Sequence, residues 1–339
     1  MTIALDANGS DRGPGVVADG ARASAVRALV FGPQSDLGAD LAVVDAPDSI
    51  TNDEPPIEAL RRRPDASVAQ AARAVGEGRA GALVSAGSTG AVLAASLRHI
   101  GCLPGVDRAA LAVLLPAAGR PTLLLDVGAG VRARPAHLVE FAHMGAAFMA
   151  TVHGIARPSV ALLSVGREAG KGTPDVISAA GLLAGGPLDF AGNVEGGDLL
   201  AGDVDVVVCD GFAGNIALKA MEGAARGVAG GLRHALRSGP GAALGGLFAR
   251  GALRSLRARF DPDAHGGAIL LGMRRPVVVA HGASSRAGIA AALTLARRAV
   301  DERMVELTAA ALEREWSRSP SASVGNFASA SSRESRIPS

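Results

Sequence analysis

Seven short apolar runs, nearly all of them ending in small polar residues, set the tightest limit on how this chain folds. They are Thr2–Ala7, Ala80–Ala86, Leu111–Leu115, Thr122–Val127, Val160–Val165, Val204–Cys209 and Pro276–Ala280. Their length suits buried strands. Helical patterns separate most of them: Val68–Gly76, Ala91–Ile100, Ala136–His153, Pro174–Leu183, Asn215–Leu236 and Ala287–Glu315. This alternation predicts an α/β fold with a mostly parallel sheet flanked by helices. The tips run Asp6 to Asp11, Ser85 to Gly90, Asp126 to Gly130, Gly166 to Thr173, Asn193 to Asp198, Asp210 to Asn215 and His281 to Ser285. Ligands of open α/β sheets bind outside the carboxyl ends of strands, so these tips predict one shared crevice. A single Gly-rich turn would be only a tight connection.

The 339 residues can bury a sizeable core. Aromatic residues are 3% and Tyr is absent, so that core must be Ala, Val, Leu and Ile. Residues 1–316 read as one α/β domain with a basic amphipathic helical segment around 226–260. The Ser-rich stretch 317–339 reads as a disordered tail. A formal net charge of +2 gives no support for a nucleic-acid partner. Cys102 and Cys209 are far apart, which argues against a disulfide or structural zinc. The N-terminus lacks a signal-peptide pattern and no apolar run reaches transmembrane length, so a cytoplasmic location is expected. Only Lys171 and Lys219 are lysine; every other cationic chain is Arg. In such a chain a lysine points to a site needing a compact ammonium rather than a planar fork, and Lys171 is favoured.

The stretch Leu162–Val176, "LLSVGREAGKGTPDV", is close to a nucleotide phosphate loop. It departs where it matters. Gly172 follows Lys171 in the slot where magnesium needs a hydroxyl, and the first Gly comes one place late. The remaining physics suits an anion. Thr173 can cap a helix, Pro174 can start it, and free N–H groups would face the strand end beside Lys171, Gly170 and Gly172. The bland alternative is a plain strand-to-helix turn. "SAGSTGA" has a similar character: Ser85, Ser88 and Thr89 precede a helix starting near Gly90. No dinucleotide fingerprint occurs, so no cofactor is expected. Asp6, Asp126 and Asp210 lie at different strand ends without metal-type spacing, so no metal is expected either. Cys102 lies away from the polar tips and makes a poor nucleophile candidate.

The ordered segments "IALDANGSD", "ALVSAGSTGAVLA", "LLLDVGAGVRARPAHLVEFAHMG", "SVGREAGKG", "FAGNVEGGDLLAGDVDVVVCDGFAGNIALKAMEG", "HGGAILLG" and "VVVAHGASS" resemble the phosphate acyltransferase family (PlsX), over roughly Thr2 to Val305. The resemblance implies a fold similar to isocitrate and isopropylmalate dehydrogenases, used without nicotinamide. It implies acyl transfer from acyl carrier protein to inorganic phosphate, giving acyl phosphate for phospholipid synthesis. It also implies a homodimer whose product passes to a membrane glycerol-3-phosphate acyltransferase.

On this reading Lys171 binds phosphate or the oxyanion, Asp126 orients the lysine or accepts a proton, and Asn215 and His281 are further catalytic candidates. Asp6, Gly9, Ser85, Ser88, Thr89, Gly90, Gly170, Gly172, Asn193, Glu195 and Asp210 are the substrate-binding candidates. The chain departs from the family pattern at Ser10, Ser88, Gly130, Arg167 and His265, where Gly, Asn, Asn, Glu and Tyr are usual. Two rivals remain: an acyltransferase using coenzyme A thioesters, as phosphotransacetylases do, and a carrier-protein or lipid-binding regulator without catalysis.

Ala243–Phe260 can be wound as a helix with Arg250, Arg254 and Arg257 on one face. Leu244, Phe248, Ala252, Leu256 and Phe260 fall on the other side. Three occupants fit: a partner subunit, the acidic carrier protein, or an anionic membrane surface at the inner face of the membrane.

Overall fold

The structure, a computed structural model, describes residues 1–117, 120–259, 263 and 266–318. Eleven strands form one sheet: β1 Ile3–Asp6, β2 Ala28–Gly32, β3 Ala42–Asp45, β4 Leu83–Ser85, β5 Ala110–Leu115, β6 Thr122–Leu125, β7 Ser159–Leu163, β8 Asp189–Val194, β9 Val206–Val208, β10 Ala268–Leu271 and β11 Val277–Val279. Their spatial order is β3-β2-β1-β4-β11-β10-β5-β6-β9-β7-β8. The helices are α1 Pro14–Ala23, α2 Gln34–Leu37, α3 Pro56–Arg62, α4 Ser67–Gly76, α5 Thr89–His99, α6 Pro135–Val152, α7 Pro174–Ala184, α8 Gly211–Ala235, α9 Pro240–Arg259, α10 Arg286–Asp301 and α11 Met304–Arg318.

Alternate residues of each strand feed two cores. In β1, Ile3 and Leu5 point to the side covered by α1, α6, α7, α10 and α11, while Ala4 points to the side of α3, α4, α5 and α8. Small residues let these layers approach closely. Gly145 of α6 sits where an added Cβ would strike Val206 of β9.

The sheet is mostly parallel, as the strand pattern predicts, but β10–β11, β10–β5 and β5–β6 are antiparallel. Their effect is large. Strands β1 to β4, β11 and β5 run one way; β10, β6, β9, β7 and β8 run the other. The seven strand tips therefore fall into two sets of opposite direction, which α8 bridges: Asn215 reaches Val127 and Lys219, one turn on, reaches His281. The tips of β1, β4 and β11 lie on one edge of the sheet, and those of β6, β7, β8 and β9 on the opposite edge. The reversal follows from short links, since antiparallel neighbours need only a tight connection.

The single helix expected over Ala287–Glu315 is two helices, broken at Arg303, whose φ of 52° ends α10. Helix α11 continues to Arg318, two residues into the stretch read as tail. Residues 319–339, His265 and Phe260 lie outside the described residues.

Candidate active site

On the first edge, Asp6 ends β1 with its carboxyl 1% exposed. It accepts hydrogen bonds from Ser67 Oγ and Ser85 Oγ, both at 2.6 Å, and from the Asn8 N–H at 3.3 Å. Burial pushes this carboxyl up from its ordinary value, and the two hydroxyls and the N–H draw it back. Ser85 Oγ also accepts from Gly87 N–H. Gly9 then lies against Gly87 so closely that a Cβ at Gly9 would stand 2.6 Å from the Gly87 Cα. Ser88, nearly buried, stands at the N-cap of α5 without a side-chain cap bond; Thr89 begins that helix and Gly90 touches Pro56. Ser10 Oγ and the Asp11 N–H both donate to Gly282 O, tying the β1 tip to the β11 tip beside His281. Asp6, Gly9, Ser85, Ser88, Thr89, Gly90 and His281 thus share one edge.

On the second edge, Asp126 follows β6. Its Oδ1 accepts from the N–H groups of Leu111, Gly128 and Ala129, and its Oδ2 from that of Gly130, at 2.8 to 3.0 Å. Burial pushes the Asp126 carboxyl up, against these four donors. Both oxygens are committed to shaping the Val127–Gly130 turn. Asp210 caps α8 by accepting from Ala213 N–H at 2.7 Å, and Asn215 Nδ2 donates to Val127 O at 3.1 Å. Gly214 is needed here, because a Cβ would collide with Asp126 O. At Gly130 the Arg108 guanidinium fills the space that a side chain would take, while its Nη1 donates to Arg132 O. Behind Arg108, Glu140 of α6 accepts from the Asp107 N–H at 2.6 Å, and burial pushes its carboxyl up to about 7.

The loop Gly166–Thr173 follows β7 on this same edge. Asn193 in β8 pins it from below, its Nδ2 donating to Glu168 O at 3.0 Å and Lys171 O at 3.4 Å. Gly172 takes a φ of 111° beside Ser164. Thr173 caps α7 by accepting from Val176 N–H, with Pro174 next, as the sequence predicts. Gly170 has open space around it. Lys171 is exposed, and its ammonium makes no ion pair among the described residues. Arg167, one of the departures, pairs with Asp198 at 2.6 Å, and Asp198 Oδ2 also accepts from the Glu195 N–H. No bond joins Lys171 to Asp126.

Helix α8 connects the edges. It begins at Asp210 on the second edge and carries Lys219 about 12 Å along its axis. There Lys219 Nζ lies 3.2 Å from His281 Nε2 on the first edge and donates to Glu222 Oε2 at 3.0 Å. Lys219 was not among the expected site residues. The rarity of lysine, read in the sequence as favouring Lys171, also marks Lys219. No group of three His, Cys, Asp or Glu among the described residues could hold a metal ion.

A mixed sheet of this order, flanked by helices on both faces, defines an α/β fold shared with several enzymes of known structure. The same fold occurs in a phosphotransacetylase from Streptococcus pyogenes (TM-score 0.57, 19% identity, 89% of this chain and 94% of that one). It also occurs in 4-hydroxythreonine-4-phosphate dehydrogenase from Klebsiella pneumoniae (TM-score 0.50, 13% identity, 88% and 99%). In sequence, the chain is 46% identical to the phosphate acyltransferase of Thermobifida fusca, over 90% of this chain and 89% of that one. The chain belongs to the fatty acid synthesis protein family, which matches residues 1–307. Its coarse activity is acyl transfer.

Proposed function

We propose that the chain transfers an acyl group from the thioester of acyl carrier protein to inorganic phosphate, releasing acyl phosphate. The observation that carries this reading is the Gly166–Thr173 loop. It pairs a capped helix start with an unpaired ammonium, yet has Gly172 where a nucleotide loop would bind magnesium. A phosphate oxygen attacks the thioester carbon, the C–S bond breaks, and the sulfur leaves to take up a proton. Positioning of the phosphate supplies most of the rate, since the thioester is already activated. Lys171 holds the phosphate or the oxyanion.

The test is release of free carrier protein from its acyl thioester, with and without phosphate. Release that needs phosphate is expected; equal loss in both would mean hydrolysis and would end this reading. Parallel assays with acyl-coenzyme A separate the carrier-protein donor from a phosphotransacetylase-like donor.

The place of work is part of the proposal. Arg226, Arg233, Arg237, Arg250 and Arg254 of the α8–α9 region are exposed, and among the described residues only Arg226 faces a carboxylate, Glu222 at 3.8 Å. Phe248 is 83% exposed. These features support an α9 that rests on anionic lipid, so that acyl phosphate reaches a membrane glycerol-3-phosphate acyltransferase; the homodimer of this proposal comes from the family resemblance. No helix among the described residues is long and apolar enough to cross a membrane. Sedimentation with anionic vesicles, weakened by salt and lost in Phe248→Glu, is expected. A Phe248→Glu variant that becomes monomeric would place α9 in the subunit interface instead.

A further inference from the structure

The Lys219–His281 contact has a directional problem that identifies what it binds. His281 Nδ1 lies 3.0 Å from the Ala283 N–H, a backbone donor that has no other role to play. Nδ1 is therefore the acceptor, and the ring carries its proton on Nε2. That Nε2–H faces the Lys219 ammonium at 3.2 Å, so two donors converge from separate elements. A group offering several acceptor oxygens side by side satisfies both at once. Such a group is a phosphate or a phosphate ester, which takes charge-assisted bonds from each donor.

The surroundings prepare the pair for this work. His281 sits on a tip fixed by the Ser10 and Asp11 bonds to Gly282 O. Lys219 sits on a helix fixed by Asp210 and Asn215 at its start. Glu222 takes one ammonium proton and leaves two for a ligand; it also faces Arg226 at 3.8 Å. Asp11 stands against Gly282, next to His281. Both donors remain open to solvent, with the Lys219 side chain 48% exposed. Here too the chain uses one of its two lysines.

We infer that Lys219 and His281 form a phosphate-oxygen subsite on the α8 side of the sheet, separate from the Gly166–Thr173 loop. The inference deepens the proposed acyl transfer and rests on it for its purpose, though not for its detection. Free phosphate and the phosphodiester end of a pantetheine arm share the chemistry.

The experiment is nitrogen-detected histidine NMR on the full chain, with the His281 signal assigned by His281→Gln. The free protein should show the Nε2–H tautomer. Inorganic phosphate and 4′-phosphopantetheine are then titrated in separate arms. A saturable His281 shift in the first arm assigns the subsite to free phosphate; a shift in the second alone assigns it to the arm of the acyl donor. Lys219→Met should weaken the effective ligand at least tenfold, and Lys219→Arg, which keeps the charge, guards against a folding defect. No shift in either arm, or equal affinity in Lys219→Met, overturns the subsite. Turnover is not needed for this readout, so failure of phosphate-dependent thioester release with the His281 shift intact would count against the reaction alone.

Discussion

At the first edge of the sheet a buried carboxylate, Asp6, is held by two serine hydroxyls and closed over by the Gly9–Gly87 contact. At the second, Asp126 is held by four backbone N–H groups, and the neighbouring loop leaves Lys171 unpaired in solvent. At both edges a buried acid is spent on fixing the turn around it, by side-chain hydroxyls in one case and backbone donors in the other. Each edge also keeps an exposed cationic or imidazole group, Lys171 at the second and the Lys219–His281 pair at the first.

The comparison is broken most severely by Asp126→Ala. Four N–H groups lose their acceptor, and a destabilisation on the order of 4 kcal/mol is expected by denaturant unfolding. A loss below about 1 kcal/mol would show that water replaces the carboxylate easily. Acidity offers a second break on the same edge. Glu140 has its pKa raised to about 7 from 4.5, so it binds its proton more tightly when folded. Its contribution is full below about 4.5 and is lost as pH rises through 7. Stability relative to Glu140→Gln should fall by on the order of 3 kcal/mol between pH 4.5 and pH 8. Parallel pH curves for the two proteins would remove Glu140 from the account.

Lys171→Ala should leave stability untouched and lower turnover about a hundredfold, the cost of one oxyanion donor or about 2.7 kcal/mol. Lys171→Arg should also be impaired, because the fork does not reproduce the ammonium. Near-normal turnover in a folded Lys171→Ala would make the loop a plain turn. The smallest effects come from a matched pair of glycines. Gly9→Ala drives a Cβ into Gly87 and should cost about 2 kcal/mol, whereas Gly170→Ala meets open space and should stay within about 0.5 kcal/mol. Equal thermal shifts would erase the contrast between a closed edge and an open one.

Much of this was legible from local pattern. All seven apolar runs contain strands, and the Thr173–Pro174 helix start is as expected. Strands β2, β3, β8 and β10 lie outside the seven expected runs; in β8 the extra residue Ala191 bulges beside β7, which breaks the alternation. The reversed direction of the second half is written in the link between β5 and β6. Only residues 116–121 separate β5 from β6, too few for a parallel crossover. Other features have no local signature. Asp6 finds Ser67 and Ser85 across 61 and 79 residues. Gly130 makes sense only once Arg108 is seen lying over it, a pairing that no spacing rule reveals.

The order of strands also sets a timetable for synthesis. Strand β4 is bordered by β11, and α10 closes over α1 with Arg297 reaching the Met1 carbonyl. The strands β3-β2-β1-β4 are all made by Ser85 and β5-β6-β9-β7-β8 by Val208, but the two sets meet only through β10 and β11, made almost 200 positions after β4. Each half therefore holds one unpaired strand edge, β4 or β5, until the ribosome has nearly finished. Protease protection of stalled nascent chains should become complete at β4 and at β5 together, once Val279 has emerged, and the interval before that is when the chain most needs shelter from aggregation.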